Sequence, residues 1–302
     1  MTAWSSWRPG SPRTVTPETC ARRALGDRPE GLAHRLGLGL FPELCVVCGR
    51  PVAIRDRYRD ICPACVTRLP WRLPSEMSIP LVSSSLLGLF SAKDYRDARQ
   101  QRLIVPFHYE ETTRRLLRQL KFHDAEEYAH VFAGPMADAL RLVLYSRLER
   151  ERGRRPGRRL AGALDSALVL PVPLSAGRRR ERGYNQAERI ARPLAALLGL
   201  PLIETALWRR RETGRQTQLD NTGRLANMRG AFAASPEICS GATFLLVDDI
   251  ATSGLTLYEA GSTLRAAGAR DVLFVVAASP SRPESLPSGA RHVYADALFR
   301  AH

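Results

Sequence analysis

Three kinds of hydrophobic pattern divide the chain. Residues 168–172 and 244–247 are short, unbroken apolar runs, and 271–278 is apolar after its first residue. Such runs are expected of strands buried on both faces of a parallel sheet. Residues 103–109 read as a further strand. Elsewhere the period is helical. Over 110–122, Leu116, Leu117 and Leu120 share one side, while Arg114, Arg115 and Arg118 share the other. Residues 127–148 continue as a second helix, in which Pro135 is expected to introduce a kink. Ile190, Leu194 and Leu198 mark a third helix. Leu257, Ala260 and Leu264 mark a fourth, running from Thr256 to about Ala267 and ended by Gly268. Strands that alternate with helices predict an α/β fold, a parallel sheet flanked by helices.

The remaining stretches set the expected boundaries. Residues 1–38 show no period and are read as a disordered N-terminal extension. Residues 39–100 form a small cysteine-bearing module and a linker, with Trp71 and Phe90 packing against a neighbouring domain. Residues 101–280 hold the sheet, and 281–302 form a C-terminal extension. The basic run 150–159 is expected to be a solvated insertion, with a nucleic-acid site as the alternative. No stretch approaches the roughly 18–20 apolar residues that span a bilayer, and the start lacks a signal peptide's apolar region. The expectation is a cytoplasmic protein.

The net charge is +15, which favours phosphate-rich ligands, nucleic acid or an acidic partner. Lys93 and Lys121 are the only lysines, so arginine-biased coding explains part of the surplus.

Cys45-Val46-Val47-Cys48-Gly49 and Cys62-Pro63-Ala64-Cys65 are two C-x-x-C knuckles separated by 13 residues. Each knuckle places two thiolates on one turn. Together the four make a closed tetrahedral site, for which structural zinc is the expected metal. Paired redox motifs or an iron–sulfur cluster satisfy the same spacing. A module this small buries little core, so metal binding would supply folding energy on the order of 10 kcal/mol.

The sharpest chemistry lies at 244–256, F-L-L-V-D-D-I-A-T-S-G-L-T. Asp248 and Asp249 sit where a parallel strand meets solvent. Thr252, Ser253 and Gly254 then lead into a helix. A small-residue turn from strand to helix points orphan N–H groups and the positive end of a helix dipole at one place, a cradle for phosphate. Three hydroxyls add donors, and Gly254 lets the backbone approach closely. A phosphate alone needs no carboxylates, whereas two sugar hydroxyls would each donate to one. The plainer alternative is an ordinary acidic strand end capped by Thr256.

This stretch closely resembles the phosphoribosyl-pyrophosphate loop of type I phosphoribosyltransferases. The resemblance implies that fold, with Asp248 and Asp249 as the catalytic acids on the ribose hydroxyls. It also implies that Ala251, Thr252, Ser253, Gly254, Leu255 and Thr256 wrap the 5′-phosphate. Upstream, 175–187 reads S-A-G-R-R-R-E-R-G-Y-N-Q-A, and its arginines suit pyrophosphate at the carboxyl edge of a parallel sheet.

The longer pattern P-V-P-L-x-x-x-R-x-x-x-R-G-Y-N-Q-A resembles the ComF group, bacterial phosphoribosyltransferase-like proteins linked to natural competence and DNA uptake. The double zinc knuckle, Tyr109 with Lys121-Phe122, and the series Arg211, Gln216, Leu219, Arg224, Asn227 and Phe232 resemble it too. The likeness spans 38–280. It implies Arg178, Arg182, Arg211, Gln216 and Arg224 on the pyrophosphate side and in a lid over 208–227 that excludes water; a polar surface loop is the bland reading of that segment. Magnesium would arrive with the substrate, phosphoribosyl pyrophosphate. The acceptor is unnamed, and His108 and His123 are candidate bases by residue type only. A second reading is a non-catalytic sensor or DNA-binding accessory, partnered by single-stranded DNA or a competence helicase.

Overall fold

The computed structural model describes residues 44–52, 58, 60–122, 126–151, 164, 166–211 and 221–280. In chain order these form α1 (Pro63–Val66), β1 (Ser78–Pro80), α2 (Ser84–Leu87), α3 (Ala92–Gln100), β2 (Arg102–Ile104) and β3 (Phe107–His108). Next come α4 (Glu111–Phe122), α5 (Glu126–Glu151), β4 (Ala167–Pro171), α6 (Ala176–Arg182) and α7 (Gln186–Leu198). The last are β5 (Leu207–Arg209), α8 (Asn221–Met228), β6 (Phe232–Ala234), α9 (Pro236–Cys239), β7 (Thr243–Ile250), α10 (Leu255–Ala266) and β8 (Asp271–Ser279).

The apolar runs build the sheet. Its order is β1-β2-β8-β7-β4, with β3 also paired to β8. Every pairing is parallel except β1 with β2 at one edge. Along β7, Phe244 and Leu246 pack into one apolar cluster, while Leu245 and Val247 pack into another. A strand's period of two supplies both faces. One cluster joins the sheet to α4, α5 and α7, and the other joins it to α10, α2 and the β5–β6 hairpin. The expected mixed α/β architecture with helices on both faces is observed.

The strand expected over 103–109 is two pieces in one register. Leu103 pairs with Phe274 and Phe107 with Ala278. The break falls at Pro106, which has no N–H to give; its carbonyl accepts from the Arg72 N–H instead (2.7 Å). The expected linker is also corrected. Residues 78–80 are the edge strand β1, and Met77, Leu81, Val82, Leu86 and Ala98 are buried. Its apolar residues come in groups too short to show a period. Pro80 fits only because the strand lies at an edge.

The cysteine knuckles dock on α5. Trp71 is buried, donates from Nε1 to the Val66 carbonyl (2.8 Å), and lies 4.6 Å from the Phe107 ring. Tyr58 donates to Asp138 Oδ2 (2.6 Å) and packs over Gly134, where a Cβ would lie 2.6 Å from its ring. Asp60 accepts from His130 at 2.8 Å. All described residues belong to one compact unit, with no boundary near residue 100. The expected terminal extensions, Gln216, His123 and nearly all of the basic run 150–159 lie outside the described residues.

Candidate functional site

Parallel strands leave their carboxyl ends at one edge of the sheet, and there the ends of β4 and β7 open onto a cavity of about 190 Å3. Asp248 and Asp249 lie inside β7, whose ladder to β8 continues to Ile250↔Ala278. Each carboxylate accepts the next residue's N–H: Asp248 Oδ1 from Asp249 and Asp249 Oδ1 from Ile250, both at 2.8 Å. Lys121, at the end of α4, places Nζ 2.8 Å from Asp249 Oδ2. Burial pushes the Asp248 carboxyl well above the usual carboxylate range, the neighbouring Asp249 charge adds to this, and Lys121 opposes it.

Beyond the acids the chain turns into α10. Gly254 is the N-cap residue at φ +78°, and no side chain caps the helix. The first-turn N–H groups are thus left for a ligand. Thr252 and Thr256 line the cavity. The other expected loop residues serve the turn itself. Ala251 and Leu255 are buried, and the Ser253 carbonyl accepts from the Ser83 N–H (3.2 Å). A Cβ on Gly254 would stand 1.7 Å from the Leu81 carbonyl oxygen. The close approach read from this glycine is therefore to the 81–83 segment.

The opposite wall is basic. Ser175 caps α6 by accepting from the Arg178 N–H (3.4 Å), and Gly183 ends it at φ +77°. Asn185 caps α7 through the Ala187 N–H (3.2 Å) and donates to the Val172 carbonyl (2.9 Å), tying the turn to the end of β4. Arg178 and Arg182 reach the cavity, and Arg182 also donates to Gln186 Oε1 (3.0 Å).

Arg211, expected on the pyrophosphate side, and Arg209, for which no role was expected, stand in different surroundings. Arg211 is absent from the lining; its Nη2 donates to the carbonyls of Ala226, Asn227 and Arg229. The carboxyl end of a helix attracts a cation, and β5 has already ended at Arg209. Arg209 lines the cavity instead, its guanidinium 5.1 Å from the Phe232 ring centroid. Burial, and then the Arg178 charge, lower its pKa. Arg224 lies on α8, its side chain outside the described residues. His108 is buried 3.6 Å from Glu76 and does not line the cavity. Sequence reading missed Lys121, Asn185, Gln186 and Arg209 as lining residues. The first three stand within the motifs it quoted, whereas Arg209 lies in the segment read as a lid without being singled out.

The four cysteines of the two knuckles form a separate candidate metal site. The four Sγ atoms of Cys45, Cys48, Cys62 and Cys65 all lie within 4.8 Å of one another, and those of Cys48 and Cys62 are 3.7 Å apart. A tetrahedron with Zn–S bonds of about 2.3 Å has edges of about 3.8 Å. The donor set fits zinc. Burial pushes the Cys45 thiol up, but backbone N–H groups of Cys62, Cys48 and Val47 outweigh it and bring it to about 7. Burial and the neighbouring sulfurs raise Cys65, so a bound cation is what would let all four ionise together.

The phosphoribosyl transferase domain family model matches residues 181–295. Among solved structures, a glutamine phosphoribosylpyrophosphate amidotransferase from B. subtilis, complexed with ADP and GMP, is 23% identical, with a TM-score of 0.26. The match covers 40% of this chain and 24% of that one. A structure described as the allosteric regulatory enzyme of purine biosynthesis is 26% identical over 40% of this chain and 23% of that one, with a TM-score of 0.26. This chain thus spans about a quarter of the length of either protein. None of the curated proteins compared matches it. Residues 181–295, which carry the Asp248–Asp249 pair and the open N-terminus of α10, are thus similar to the phosphoribosyl transferase domain family.

Proposed function

We propose that the chain binds phosphoribosyl pyrophosphate, with magnesium, in the cavity at the ends of β4 and β7, and transfers its phosphoribosyl group to an acceptor. One juxtaposition carries the reading. Two adjacent carboxylates, an uncapped helix start and three guanidiniums meet in a single cavity. Those of Arg178, Arg182 and Arg209 have no carboxylate partner among the described residues. In the proposed complex the α10 N–H groups, with Thr252 and Thr256, hold the 5′-phosphate. Asp248 and Asp249 accept the ribose hydroxyls. The arginines face the pyrophosphate and stabilise its charge as the C1–O bond lengthens and the acceptor's bond to C1 forms. Two carboxylates, one already held by Lys121, suit an ion carried mainly on substrate oxygens rather than in a protein cage. Magnesium so bound would add positive charge against the leaving group. Resemblance to the ComF group supports a role in natural competence and DNA uptake.

Calorimetry with phosphoribosyl pyrophosphate tests the binding, and pyrophosphate release across a panel of bases tests turnover. Wild type should bind, and the folded Asp248→Asn, Asp249→Asn double variant should not. Equal affinity in the two would overturn the assignment. Binding without release for any base would leave a ligand-sensing protein.

A further inference from the structure

We propose that Lys121 is a displaceable counter-ion that couples the two halves of the cavity, so that a ribose phosphate and a pyrophosphate group each favour binding of the other. The inference rests on the phosphoribosyl-pyrophosphate reading of the site. It begins with which oxygens are free. Asp248 Oδ1 and Asp249 Oδ1 are each committed to a backbone N–H. Asp248 Oδ2 and Asp249 Oδ2 remain for the sugar hydroxyls, and the second of these faces the Lys121 ammonium at 2.8 Å. The two side chains are only 23% and 14% exposed, so the pair is poorly screened. A sugar hydroxyl that donates to this oxygen competes with the ammonium for it, and in the proposed complex displaces it.

The displaced ammonium meets a cationic wall of Arg178, Arg182 and Arg209. With nothing anionic there, leaving Asp249 exchanges attraction for repulsion. With pyrophosphate against the arginines, the ammonium gains a new partner. The joint that would hold Lys121 within reach of both is present. Tyr184 Oη donates to the Leu120 carbonyl (2.6 Å), fixing the last turn of α4 to the turn after Arg182. The residue type fits as well. A chain with 45 basic residues has only two lysines. A compact ammonium on a rotatable stem changes partners more readily than a planar guanidinium fork.

Coupling of this kind is reciprocal by thermodynamic linkage. It would make the site select a ribose that carries both a 5′-phosphate and a pyrophosphate over a plain ribose phosphate. The test is calorimetry with ribose 5-phosphate and inorganic pyrophosphate, alone and together, at one fixed magnesium concentration. In wild type each ligand should tighten the other by about 5- to 150-fold. In Lys121→Met, ribose 5-phosphate alone should bind more tightly than to wild type, and the coupling should vanish. Lys121→Gln, which keeps a polar tip without the charge, should behave the same way. Undiminished coupling in either variant, or a proportionate loss of affinity for both ligands, would overturn the proposal and make Lys121 a simple brace. If wild type binds the two ligands independently, the counter-ion role fails and the ribose–pyrophosphate site stands. If it binds neither, the reading of the site fails as well.

Discussion

Asp248 illustrates how one residue can oppose folding and still define a site. Its folded pKa is raised, first by burial and then by Asp249. The unfolded chain therefore releases this proton at lower pH, and the native state loses stability as pH rises from the ordinary value of 3.8. Asn at this position can still accept the Asp249 N–H but carries no charge. Asp248→Asn should thus melt at a higher temperature than wild type at pH 7, with the gap closing below about pH 4. Melting curves across that range check it; an unchanged gap at pH 3 would exclude the buried carboxylate as its source. Arg209 and Arg211 separate in the same way. Arg209→Ala should weaken phosphoribosyl-pyrophosphate binding about ten- to hundredfold, the effect of one lost charge-assisted hydrogen bond. Arg211→Ala should leave that affinity alone and cost about 0.3–1 kcal/mol of stability through the end of α8. Calorimetry and denaturant unfolding distinguish the two.

At the scale of elements, the turn between β7 and α10 depends on a partner distant in sequence. The Leu81 carbonyl stands where a Gly254 side chain would be, and the Ser83 N–H donates to Ser253. Gly254→Ala asks for both a left-handed backbone and a shift of the 81–83 segment. The expected outcome is a folded protein with a lower melting temperature and markedly weaker phosphate binding, because Thr252 and the α10 N–H groups move with the turn. Inorganic phosphate titrated into the variant checks it. Undiminished phosphate affinity would show that the turn does not position those donors.

At the scale of the whole molecule, the cysteine knuckles and the sheet share one apolar cluster. Cys45, Val66 and Trp71 pack in it together with Phe107, Phe132 and Leu140. The protein should carry one zinc per chain by elemental analysis. Chelation, or Cys45→Ser, should lower the temperature of a single cooperative transition. A separate early transition, with the main one unmoved, would mean that the knuckles fold apart from the sheet.

Much of this was written locally in the chain. The apolar runs of β4, β7 and β8, the spacing of the four cysteines and the order Asp-Asp, small residues, helix are each set within 21 residues or fewer. Strand burial, the turns that gather cysteines and helix starts are decided over the same range, so the sheet, the cysteine cluster and the order of acid pair, turn and helix start were legible there. Whatever joins distant segments was not. The edge strand β1 is defined by its pairing with β2. Gly254 answers to Leu81, and Trp71 bridges Val66 and Phe107. Arg209 lines the cavity and Arg211 does not, because the hairpin ends between them and carbonyls at the end of α8 attract the second guanidinium. Lys121 faces Asp249 from the far end of another helix. Sequence encodes side-chain chemistry and local backbone preference. Which charge faces which carboxylate depends on how the helices pack on the sheet, and only the tertiary structure decided that.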